Sequence, residues 1–288
     1  MSWQLLIILS VILTSFSSLI ERILLKDGKS DPLTYSVVFQ LITGVIIGIF
    51  GYLFSNMIFS GISKLLPNLI LMIILYGVGN LALFNSLKLI EASRFVVIFA
   101  ARALFTLMAS AIFLGERLVL LQLGGVALII LSVLIVTIRS GKELNLLKHF
   151  GKGELYALMA ALCFGLANTN DRFILKDWAV YPYVFSAFVL PAVAVVLVKP
   201  KILSNLRQLM TKSFMSKMLL LCILYGIGAV TFFSSLDMSP SSSQVATINL
   251  TGVVLTVLLS IFILKEKERI PAKILGAVLS FVGLLLLS

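Results

Sequence analysis

Charge is what this sequence lacks first. Asp, Glu, Lys and Arg make up only 12% of its 288 residues, where soluble domains carry about 25%. A chain so poor in charge, and 60% hydrophobic, cannot cover itself with polar surface and must be solvated by lipid. Its one histidine, His149, sits in a basic loop, which argues against a histidine-rich metal site or a histidine-based triad. The two cysteines, Cys163 and Cys222, lie inside apolar runs. They read as small buried residues rather than as a disulfide framework. No phosphate-cradling glycine loop is present, which argues against a nucleotide-driven pump. There is no low-complexity segment, no soluble domain and no strand-like alternation, so a β-barrel is disfavoured. The start, Met1-Ser2-Trp3-Gln4, has no basic n-region, and the run behind it is long enough to span, so no cleavable signal is expected.

What remains is a series of apolar runs. A spanning helix needs about 20 mostly apolar residues. Ten runs qualify, near 3–25, 33–54, 65–87, 95–115, 118–138, 154–175, 180–198, 215–236, 243–264 and 270–287. Helices satisfy their backbone groups internally, as lipid demands. The net charge of +11 is dispersed through the short loops between the runs. That pattern is an orientation signal against anionic lipid, not a nucleic-acid groove.

The ten runs are two sets of five. Glu21-Arg22-Ile23-Leu24-Leu25-Lys26-Asp27, followed by Pro32, recurs as Asp171-Arg172-Phe173-Ile174-Leu175-Lys176-Asp177, followed by Pro182, at a spacing of 150. Tyr76-Gly77-Val78-Gly79 recurs as Tyr225-Gly226-Ile227-Gly228, and Leu114-Gly115-Glu116 as Leu264-Lys265-Glu266. The expected organisation is a first repeat over 1–140, a basic linker over 141–152 and a second repeat over 153–288. Five is odd, so the second half enters the membrane from the opposite side. This predicts an all-α integral membrane fold of ten transmembrane helices in two inverted five-helix repeats. Seventeen of the 23 Lys and Arg residues fall at the loops after helices 1, 3, 5, 7 and 9, and three at the other internal loops. The positive-inside rule then places both termini outside a cell membrane.

These features resemble the EamA-like family of the drug/metabolite transporter superfamily over nearly the whole chain. The resemblance rests on the two five-helix halves and on Phe164-Gly165 followed by Arg172 in the sixth helix. It rests also on Leu114-Gly115-Glu116-Arg117-Leu118, Gln122 and Gly125. There are departures. The family's fourth helix often carries a central proline, where this chain has Ala103 and Val253. Family members are generally held to keep both termini in the cytoplasm, opposite to the charge count. The resemblance implies a secondary carrier of small metabolites that works by alternating access.

The remaining three arginines, Arg22, Arg102 and Arg172, lie within the helices, together with two acids, Glu21 and Asp171. Arg102 falls near mid-helix, where an arginine costs roughly 3 kcal/mol on insertion scales unless it meets a cavity or partner. Its fork suits a carboxylate or phosphate, so it is the first choice for a substrate anchor. A structural ion pair with Glu21 or Asp171 is the rival role. The pairs Glu21–Arg22 and Asp171–Arg172 sit off-centre, on opposite faces if the halves are inverted. They suit gates, with an acid meeting an arginine across the cavity, or proton coupling by one carboxylate. Interfacial snorkelling is the bland alternative. Asn168, Asn170, Asn80, Asn85, Gln244 and Asn249 offer a hydrogen-bonding lining or, equally, interhelical glue. Tyr76 and Tyr225 join them, although their Tyr-Gly-x-Gly segments suit close helix packing better.

The function expected is secondary transport, as exporter or exchanger, of small metabolites such as amino acids or other carboxylate- or phosphate-bearing solutes. Proton-coupled efflux of drugs or cations and lipid-carrier flipping are the alternatives within transport. An intramembrane enzyme, which needs a converging set of catalytic groups, is the alternative outside it and is disfavoured. The expected partners are the small-molecule substrate, membrane lipid and a coupling proton, with no nucleic acid. The working unit is a monomer or homodimer, and no cofactor or metal is expected.

Overall fold

The computed structural model describes residues 2–26, 31–114, 120–137, 151–202, 204–205, 211–238 and 242–287. Among them lie eleven helical elements and no strand. The first half holds α1 (Trp3–Lys26), α2 (Pro32–Phe54), α3 (Ile62–Leu89), α4 (Ala92–Phe99), α5 (Arg102–Leu114) and α6 (Leu120–Thr137). The second holds α7 (Lys152–Ile174), α8 (Val180–Val198), α9 (Lys212–Met238), α10 (Ser242–Ile263) and α11 (Ile270–Leu287). Six spans are long and apolar enough to cross a membrane, α4 and α5 counting together as one, and three further apolar helices are shorter. Large apolar side chains such as Tyr52, Phe54, Leu197 and Phe262 stand exposed on the outer surface. That is the surface expected of a chain solvated by lipid. Residues 141–150 of the basic linker, His149 among them, and Glu116 fall outside the described residues, and α7 already begins at Lys152.

The helices exchange partners between halves. α3 packs along α7 and α1 along α9; α2 packs on α8, and α6 on α11; α1 also meets α10, as α7 meets α4 and α5. Each repeat's third helix therefore lies against the first helix of the other. The two ends of α3 show the inversion directly. Asn68, near its start, takes a hydrogen bond from Asn170 of α7, while Leu87, near its end, takes one from Arg22 of α1. Nineteen residues at about 1.5 Å each separate these contacts by roughly 28 Å. The repeated acid–arginine segments thus sit at opposite ends of the bundle.

Small residues make the crossings possible. A Cβ built on Gly79 would lie 3.0 Å from Cys163 Cβ, and one on Gly228 would lie 2.9 Å from Thr14 Cγ2. Cys163 and Phe164 are the repeat mates of Leu13 and Thr14, so the two glycines make the same contact in opposite senses. Gly44 and Gly48 do likewise for α2 against α8, where Val189 and Phe185 fill the space in front of them. The Tyr-Gly-x-Gly segments therefore pack the repeats together.

One element differs from the sequence expectation. The fourth run is not one continuous helix: it breaks at Ala100–Ala101 into α4 and α5. The Ala101 N–H bonds to the Ile98 carbonyl, a tighter turn than the helix, and α5 restarts at Arg102. No proline marks the break. α7 closes directly on it, because Gly165 brings its backbone against the Arg102 carbonyl and Phe105; a Cβ there would lie 2.6 Å from either.

Candidate functional site

Arg102 stands at the first position of α5, in the middle of a spanning segment. Its guanidinium lies over the Phe99 ring, 4.8 Å from the centroid. Phe99 in turn stacks on Phe95 at 5.2 Å and meets Phe164 edge-on at 5.4 Å, and Phe164 meets Tyr76 at 5.4 Å. Among the described residues Arg102 makes no ion pair, neither with Glu21 nor with Asp171.

Asp171 is engaged on α7. Tyr76 of α3 donates to its Oδ2 at 2.7 Å, and Tyr183 of α8 lies 3.3 Å from the Tyr76 hydroxyl and also bonds the carboxylate. Around it the two halves are laced together. Asn68 and Asn170 exchange hydrogen bonds of 2.8 and 2.9 Å, Trp178 Nε1 donates to the Ser60 carbonyl, and Lys64 pairs with Asp177 at 3.2 Å. The partner of Asp171 across the repeats is therefore a tyrosine, where an arginine was expected. Arg22 is likewise occupied elsewhere, donating to the carbonyls of Leu87 and Lys88.

Glu21 presents the opposite case. It is 6% exposed, and among the described residues its carboxylate has neither a hydrogen bond nor an ion pair. The Tyr225 ring packs edge-on against Phe39 at 5.1 Å and Phe188 at 5.8 Å.

The amides divide. Asn168 is exposed on α7 and donates to Thr106 of α5 at 3.3 Å. Asn80 and Asn85 donate to the Tyr76 and Leu81 carbonyls of their own helix, and Asn249 is half-buried on α10. The side chains of Arg172 and Gln244 lie outside the described residues.

The sequence gives no site signal for Asn68, Tyr183 and Phe99, and Phe164 enters it only through the Phe164-Gly165 motif. Tyr183 follows the repeated Pro182, which is its one sequence signal. Glu266, of the repeated Leu264-Lys265-Glu266 segment just past α10, reaches the other repeat, accepting from the backbone N–H groups of Ala92 and Ser93 at 2.9 and 3.1 Å and from the Ser93 hydroxyl. Beside it Lys273 pairs with Glu91 at 2.6 Å, and Arg94, counted in the sequence as a loop charge, is buried against Glu154 at 2.8 Å.

Crossed repeats, a broken central helix and mid-membrane charge define a polytopic helical membrane protein of the inverted-repeat kind. The sequence profile of the EamA-like transporter family matches residues 1–138 and again 151–288. The chain belongs to that family. A crystal structure of a protein aligns with it at a TM-score of 0.65, covering 99% of this chain and 95% of the other. At 15% identity that likeness speaks to the fold alone. No curated protein matches.

Proposed function

We propose that the chain is a secondary carrier, an exporter or exchanger, of small organic solutes bearing a carboxylate or phosphate, and that it alternates access between its halves. The observation that carries this is Arg102, a guanidinium at mid-membrane with no carboxylate partner among the described residues. A structural cation is normally neutralised there; one left open is available to an anion. Its place at the start of α5 adds the positive end of a 13-residue helix to its own charge. Broken spanning helices present anion sites in this way. Asn168 reaches α5 four residues further on, at Thr106, and Tyr76 and Tyr225 are the tyrosines proposed to line the same cavity.

Asp171 and Tyr76 then form the gate at one end, since their contact joins the two halves and must break for them to part there. The Lys and Arg distribution puts both termini outside a cell membrane.

Purified protein challenged with 3-phenylpropionate, succinate, glucose 6-phosphate and tetraphenylphosphonium in a thermal-shift assay tests the reading. Stabilisation by a carboxylate or phosphate, lost in Arg102→Ala, is expected. Stabilisation confined to the cation, and surviving Arg102→Ala, overturns it.

A further inference from the structure

We infer that the charges clustered at one end of the bundle form an ionic latch between the repeats, so that the resting carrier is shut at that end and opens first at the other. This rests on alternating access between the halves and adds to it which end is held.

Three joints cross between the repeats at the end where Arg22 meets Leu87. Lys273 of α11 pairs with Glu91, just ahead of α4, at 2.6 Å. Arg94 of α4 pairs with Glu154 of α7 at 2.8 Å. Glu266 accepts from the Ala92 and Ser93 N–H groups that open α4. The two cations are also tied to backbone. Lys273 donates to the Glu266 carbonyl at 3.1 Å, and Arg94 to the Thr137 carbonyl at 3.0 Å. Arg94, Glu154, Glu266 and Lys273 are all buried.

The sequence does not repeat these charges. At the spacing of 150, Glu91, Arg94, Glu154 and Lys273 answer to Ser241, Gln244, Gln4 and Leu123, and a shift of one residue either way brings in no charge. Glu266 alone keeps an acid as its mate, Glu116. The far end is joined by other means. Asn68 and Asn170 exchange hydrogen bonds there, Tyr76 bonds Asp171, and the ion pair of Lys64 with Asp177 is exposed.

Alternating access needs joints that part at one end as they form at the other. Charged groups at the end of a bundle can do so, because water takes over their hydrogen bonds when the joint opens; groups deep in lipid have no such partner. Hydrogen bonds between ionised groups are roughly twice as strong as neutral ones. Two ends with unlike joints give two conformations of unequal population, and the buried ionic end is the firmer. It is also the end at which Lys and Arg concentrate. In the orientation proposed above it faces the cytoplasm, so the resting carrier opens outwards.

The test measures spin-label distances by pulsed electron resonance on full-length protein in lipid nanodiscs, without ligand, in a Cys163→Ala, Cys222→Ala background. One label pair, at Leu89 and Lys267, spans the latched end. The other, at Phe113 and Met238, lies at the far ends of α5 and α9. All four side chains are exposed. Glu91→Gln with Lys273→Met removes one ion pair without stranding either charge. The ratio of long to short distances at the first pair should then rise about tenfold, the scale of one strong interhelical contact, while the second pair shortens. Glu91→Gln alone leaves Lys273 on the Glu266 carbonyl; it should shift both pairs the same way by less, and it serves if the double variant misfolds. Lengthening without shortening at the far end marks a loosened scaffold and overturns the latch, as does no movement at either end. Asp171→Asn, which weakens the far joint, separates this from failure of the parent reading. If it lengthens the second pair while the latch variants move nothing, the latch alone falls; if no variant moves either pair, alternating access falls with it.

Discussion

Tyr76 donates a 2.7 Å hydrogen bond to Asp171, while its repeat mate Tyr225 makes none to Glu21. Two positions that the sequence writes alike are thus in different chemical states. The bond spans the boundary between the repeats, and α3 and α7 meet along most of their length around it.

A double-mutant cycle on Tyr76→Phe and Asp171→Asn should give a coupling energy of about 0.6–1.7 kcal/mol, the range for interhelical hydrogen bonds in membranes. The matching cycle on Tyr225→Phe and Glu21→Gln should give nearly none. Reversible unfolding in mixed micelles measures both. Strict additivity in the first cycle would falsify the latch.

Gly79→Ala and Gly228→Ala should each destabilise by about 1–3 kcal/mol, because the new methyl meets atoms about 3 Å away on the opposing first helix. Gly77→Ala, with Pro191 Cβ 4.0 Å off, should be tolerated. Melting temperatures of the three variants decide the matter, and equal gains in all, as the higher helix propensity of alanine alone would give, would refute the contacts.

Removing Glu266 should be costly although it lies far from Arg102. Glu266→Ala leaves the first N–H groups of α4 unsatisfied in a buried place, a loss of roughly 2–3 kcal/mol for hydrogen bonds to a charged acceptor. Lys64→Ala breaks a pair whose lysine side chain is 75% exposed and should change stability little. Parallel thermal melts that rank the two variants the other way would refute this assignment.

In a background with Cys163→Ala and Cys222→Ala, a cysteine at Ser2 should react with an impermeant maleimide added to intact cells, and one at Lys267 should not. The reverse pattern would place both termini in the cytoplasm and show that the basic loops do not set the orientation here.

Much of the architecture was legible because it repeats. The spacing of 150 between Glu21 and Asp171, carried on by Tyr76 and Tyr225, implied two inverted halves before any packing was known. The apolar runs gave nine of the helices to within a few residues at either end. The break at Ala100–Ala101 was not legible, since neither proline nor glycine marks it and alanine favours an unbroken helix. The partner of Asp171 was missed for another reason. Periodicity tells which residues share a face of one helix, but the meeting of Tyr76 with Asp171 depends on how α3 lies on α7. Glu266 illustrates the same limit: its local place resembles a cap, and its true acceptor role lies in the other repeat. Arg102 was legible because charge at mid-membrane is conspicuous wherever its neighbours are.

Arg102, with no carboxylate partner among the described residues, has an electrical consequence. Each unit of charge moved across a 100 mV potential does or absorbs about 2.3 kcal/mol of work. In the proposed carrier an empty site presents the membrane field with one positive charge, and an anion seated on the guanidinium cancels it.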